Sequence, residues 1–111
     1  MIKHVIGYAT LFMLLISASD VYAQTAQQKN AIDNFMRLTR ATQVCPNLKV
    51  NETMTLSTLY ALGVTPDDLL PGGKYVKAAR KSYNMVQSDI DEYGVKVFCA
   101  YISVNLSALL D

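Results

Sequence analysis

Two cysteines, Cys45 and Cys99, stand 54 positions apart in a chain of 111 residues, and both lie beyond a segment that reads as an export signal. An even count with no cysteine left over, in a chain bound for an oxidising compartment, favours a bridge between them. In the chain-entropy account a closed loop of this size contributes roughly 4 kcal/mol, a large share of the net stability of a small domain. A fold for this chain therefore has to bring Cys45 to Cys99. The alternatives are a bridge between two chains and a pair of buried thiols.

The export signal occupies residues 1–23. A basic start, Lys3 and His4, leads into the apolar run from Val5 to Ile16, broken only by Gly7 and Thr10. That run is shorter than the roughly 20 apolar residues of a membrane-spanning helix. Val21 and Ala23 then offer small or neutral side chains at the minus-three and minus-one positions, so cleavage is expected after Ala23. What remains, Gln24 to Asp111, is 88 residues, a single helical domain over 24–111 with no stretch suited to stable membrane insertion. A domain this short buries little surface and benefits from a covalent tie. The expected location is periplasmic or extracellular.

The helical reading follows from spacing. Thr25 and Gln28 have the form of a capping box, and Ala31, Phe35, Leu38, Thr42 and Cys45 follow at intervals of four and three, widened by Ile32 and Met36. Pro46 stops that helix at Cys45. Residues 47–53 read as a loop. Thr55 then caps a short helix carrying Leu56, Leu59, Tyr60 and Leu62, closed by Gly63, with Val64 placed to fold back onto it. Thr65, Pro66, Asp67 and Asp68 start one further turn, which Pro71, Gly72 and Gly73 cut short.

From Lys74 the apolar register Val76, Ala79, Tyr83, Val86, Ile90, Tyr93, Val97, Ala100 and Val104 runs without a phase break. One continuous helix of about 36 residues from Lys74 would measure about 54 Å, against roughly 30 Å for a compact domain of this size. Gly94 is the natural break, giving helices over Lys74–Glu92 and Val95–Leu109. The second is apolar on nearly every side and is expected to be the central, buried helix, with Asn105 inside it. Tyr83, Tyr93 and Tyr101 are expected in the core. The fold class is all-α, a small bundle of about four helices with one Cys45–Cys99 disulfide.

The chemistry available is narrow. The single histidine, His4, lies in the segment expected to be removed, and most acid-base work near neutral pH, most nucleophile pairs and most catalytic zinc sites need one. With both cysteines oxidised there is no thiolate nucleophile. Asp89, Asp91 and Gly94 match three positions of a calcium loop, but Tyr93 and Ala100 stand at its fifth and twelfth positions, where oxygen ligands are needed. Gly72, Gly73 and Lys74 lack the remaining residues of a nucleotide-binding loop, since Asp68 and Tyr75 stand where glycine and a hydroxyl residue belong. No cofactor and no metal are expected. The reading is of a non-enzyme; its alternative is an unusual enzyme using the carboxylates Asp89, Asp91 and Glu92.

Without Lys3 and Asp20, the remaining chain carries nine basic against eight acidic residues, so no global field draws it to nucleic acid. Placement says more. Lys74, Lys77, Arg80 and Lys81 form a basic stripe where a helix begins, opposed by the helix dipole, and Tyr75 stands beside them. These five residues are the candidate surface for a protein partner. Asn51 and Asn105 head acceptor triplets for N-linked glycans, which matter only in a eukaryotic secretory path.

In export signal, mature length, helical content and two widely spaced cysteines, the chain resembles the small periplasmic acid-stress chaperones of the HdeA type, and helical periplasmic immunity proteins share the outline. The resemblance is one of architecture and carries over no site residue. The leading expectation is a binding, inhibitory or immunity-type module acting on a protein partner in the cell envelope or outside the cell. The resemblance implies the alternative, a holdase.

Overall fold

The computed structural model describes residues 24–111, so the expected signal segment, residues 1–23, lies outside the described residues. Four helices are present among the described residues: α1 (Ala26–Val44), α2 (Glu52–Ala61), α3 (Val76–Tyr93) and α4 (Val95–Asn105), with 3-10 turns at Pro66–Leu69 and Ser107–Leu109. The domain is a small all-α bundle closed by a Cys45–Cys99 disulfide, with the two Cα atoms 5.7 Å apart.

Each boundary has a local cause. The Thr25 hydroxyl accepts from the Gln28 amide at 3.1 Å while the Gln28 side-chain oxygen accepts from the Thr25 amide at 2.9 Å, so two of the orphan amides of α1 are satisfied reciprocally. Gln28 also donates through Nε2 to the Leu62 carbonyl at 2.8 Å, tying the start of α1 to the end of α2. Cys45 is the C-cap of α1, and Pro46 follows it. The start of α2 differs from the sequence expectation. Asn51, not Thr55, is the cap, its side-chain oxygen accepting from the Met54 amide at 3.0 Å. Thr55 is instead buried inside the helix, its hydroxyl donating to the Asn51 carbonyl. An asparagine cap lets the helix begin four residues earlier, which shortens the loop.

The end of α2 is a complete Schellman motif. Gly63, at φ 75°, donates to the Tyr60 carbonyl and Val64 to the Leu59 carbonyl, both at 3.0 Å. Val64 and Leu59 are both buried in the same cluster, the expected apolar fold-back.

Two apolar clusters fill the bundle. One joins the first half of α1 to α2, the Pro66–Leu69 turn and the start of α3, through Ala31, Ile32, Leu59, Val64, Leu69, Tyr75 and Ala79. The other joins the second half of α1 to α3 and α4 around the disulfide, through Leu38, Ala41, Cys45, Val86, Ile90, Phe98, Ile102 and Leu106. Thr42, placed by spacing on the buried face of α1, is exposed and bonds back to the Thr39 carbonyl.

The break at Gly94 is where the spacing argument put it. Gly94 has φ 89° and ψ 159°, a region open essentially to glycine alone, and it both ends α3 and starts α4. Helix α4 stops at Asn105 rather than Leu109, because the chain leaves as an extended tail after the Ser107–Leu109 turn. Val50 and Leu110 form an antiparallel bridge there, with the Asn51 amide donating to Leu109 and the Asp111 amide to Lys49, both at 2.8 Å.

Candidate interaction surface

The basic stripe is only partly a surface. Lys77, Arg80 and Lys81 are exposed on α3, whereas Tyr75 is 9% exposed and packs in the cluster with Ile32, Leu59 and Val64. Lys74 is exposed and holds its ammonium 5.6 Å from the centre of the Tyr75 ring, a cation-π contact that leaves its full charge at the surface. Tyr75 therefore anchors the start of α3, while Lys74, Lys77, Arg80 and Lys81 remain exposed.

The polar groups with catalytic names do not converge. Ser82 donates its hydroxyl to the Asp33 carboxylate, but Ser82 is buried between α1 and α3, so the bond ties the two helices and offers no accessible nucleophile. Asp91 is exposed and accepts from the Gln87 side chain, while Asp89 turns toward α4. Among the described residues no group of three or more His, Cys, Asp or Glu side chains is placed to hold a metal ion.

The feature that sequence reading missed is α4 itself. It is not buried on all sides: only Phe98, Ile102 and Leu106 face the core, with Cys99 at their flank. On its outer side Val104 is 74%, Val97 55% and Tyr101 45% exposed, and Tyr93, just before Gly94, is 59% exposed. Tyr83 is exposed as well, so none of the three tyrosines assigned to the core lies there, and Asn105 is exposed too. The reason is geometric. The bundle has helices on one side of α4 only, so a helix apolar all round buries one row and presents the other.

Comparison with family models, with curated proteins and with solved structures finds no match. The surface has to be read from its own chemistry.

Val97 and Tyr101, four residues apart, share one face of α4, and Tyr93, the last residue of α3, lines one groove with them. The groove is open, about 310 Å³ in volume, and is lined by Arg37, Asp89, Tyr93, Val97, Phe98 and Tyr101. The Arg37 guanidinium sits 5.6 Å from the Tyr101 ring centre and donates to Asn34 Oδ1 at 3.1 Å, which fixes both side chains at the groove edge. Tyrosine and arginine held rigid beside aliphatic side chains are the residues that dominate protein interfaces. Singly exposed apolar residues elsewhere, such as Tyr60 and Leu70, carry no such meaning. The signal that could have found this face was available: a fully apolar helix near the end of a domain too small to surround it.

The disulfide and the lack of a membrane-length apolar helix among the described residues are compatible with an exported protein.

Proposed function

We propose that this domain is an exported, non-catalytic binding module, which acts by docking onto another polypeptide in the envelope or outside the cell. The observation that carries the reading is the outer face of α4 with the adjoining end of α3, where Val97, Tyr101, Val104 and Tyr93 expose apolar area at the edge of a groove containing Arg37. An exposed apolar row costs solubility unless a partner uses it. The outward cations Lys77, Arg80 and Lys81 add a second contact, suited to an acidic partner surface. No histidine lies in residues 24–111 and the bridged sulfurs are not nucleophiles, which supports docking over turnover.

Affinity capture with the bridged domain, from the organism's envelope and medium fractions, tests the proposal. A protein retained by the wild type should be lost with V97D/V104D, a variant whose changes lie on exposed positions and leave thermal unfolding within about 0.5 kcal/mol of wild type. Retention by wild type and variant alike would mean that α4 is not the docking face.

A further inference from the structure

We infer that the outer face of α4 is occupied by a second copy of this chain, the two copies meeting about a two-fold axis; the inference rests on reading that face as a docking surface. A two-fold contact uses the same patch on both partners, so the patch must contain each interacting group together with its complement. This one does. An apolar row, Tyr93, Val97 and Tyr101, is bordered by one cation, Arg37 from α1, and one anion, Asp89 from α3, all lining the same groove. The hydrogen bonds of Arg37 go to Asn34 and, at 3.9 Å, to the Met85 sulfur, so its guanidinium is held in place by neutral groups. When two such grooves face each other, tyrosine and valine rows interdigitate, and Arg37 of each copy comes opposite Asp89 of the other. A heterologous partner with a charged docking surface would call for a patch of one sign. This patch is balanced.

From their exposed fractions, Tyr93, Val97, Tyr101 and Val104 present on the order of 400 Å², within the range of the largest patch a monomer leaves exposed. A stable interface needs about 800 Å² from each partner, so these residues would supply about half of it as an apolar centre, with Arg37 and Asp89 at its edge. The stripe of Lys77, Arg80 and Lys81 lies on the N-terminal half of α3, away from the Gly94 end that leads into α4. Pairing through α4 therefore presents two basic stripes from one particle, and a partner with two acidic sites gains from both at once.

The test uses charge complementation between two variants, R37E and D89K. Each one alone faces its own kind across the axis, two acids in R37E and two bases in D89K, and its self-association weakens by about tenfold or more. Mixed together, the acidic and basic patches match, so an equimolar mixture forms a dimer where neither variant does. Sedimentation equilibrium of the bridged wild type, each variant and the mixture gives the masses, and circular dichroism confirms that the variants are folded. A wild-type dimer, weakened singles and a restored mixture establish the contact. A wild type that stays monomeric to about 100 μM, or a mixture no heavier than its components, overturns it. If the wild type is monomeric but V97D/V104D still loses its captured protein, the second copy is refuted while the docking face stands. If neither result is obtained, both readings fall.

Discussion

Replacing both bridged cysteines by alanine should remove about 4 to 5 kcal/mol of stability. The magnitude comes mainly from the denatured chain. Joining residues 54 positions apart forbids the extended conformations that an open loop would explore, which in the entropic account amounts to about 4 kcal/mol at room temperature. A smaller part comes from the folded state, because Cys45 is 3% exposed among Leu38, Ala41, Ile90 and Phe98, and deleting buried sulfur there leaves a gap. For a domain of this size each kcal/mol moves the melting point by roughly 4 to 8 °C, so the midpoint should fall by about 16 to 40 °C. Guanidinium titration of the bridged wild type, the reduced wild type and C45A/C99A is the assay. The m-value should rise once the loop is open, since the uncrosslinked denatured chain exposes more surface. A loss below about 1.5 kcal/mol with an unchanged m-value would refute the reasoning, because it would mean that the denatured chain already holds those two segments together.

Two further outcomes follow from the packing of α4. Ile102→Ala, at a fully buried position in the cluster around the disulfide, should cost about 2 to 5 kcal/mol in a denaturant titration, while Val104→Ala, two residues away on the outer face, should stay within about 0.5 kcal/mol. Gly94→Ala should cost about 1 to 3 kcal/mol although a β-carbon there would meet nothing within 4 Å, because the penalty lies in the backbone dihedrals alone; thermal unfolding that matches wild type would show that the α3–α4 junction relaxes to another conformation.

Much of the backbone was legible because its causes are short-range. Thr25 and Gln28 cap one another within four residues, Pro46 ends α1 by its own ring, and Gly63 with Val64 closes α2 through bonds to residues three and five positions back. The α3–α4 break could also be placed, since a domain of this size cannot hold the uninterrupted helix that the register describes. The misplacements have a different origin. At the start of α2, Asn51 and Thr55 both have capping chemistry, and the choice between them depends on where the C-terminal tail pairs: the Asn51 amide is held by the Leu109 carbonyl, 58 positions along the chain, outside any local window. Tyr75 and Tyr101 have the same composition signal and opposite fates. Tyr75 is covered by α1 and α2, and Tyr101 faces the side of the bundle where no element lies. Periodicity tells which residues share a face, and only the count of neighbouring elements tells whether that face is covered.

The disulfide and the apolar outer face of α4 answer one structural problem. An 11-residue helix whose inward residues are Phe98 and Ile102, with Leu106 at its C-cap, has little to hold it on a bundle, and isolated helices of that length are marginal in water. Ordinarily such a helix would gain a second buried row by sinking deeper between its neighbours, and the residues opposite would then become polar. Here Cys99, at the edge of the inward row, is joined covalently to the end of α1, and the tail after Leu106 pairs with Val50 to close the other end. With both ends fixed, α4 keeps its place without burying Val97, Tyr101 and Val104. Those positions are then free of any packing duty inside the monomer. Their apolar character answers to what lies across from them, so loss of the bridge should disturb association and stability together, while polar changes at Val97 or Val104 should separate the two.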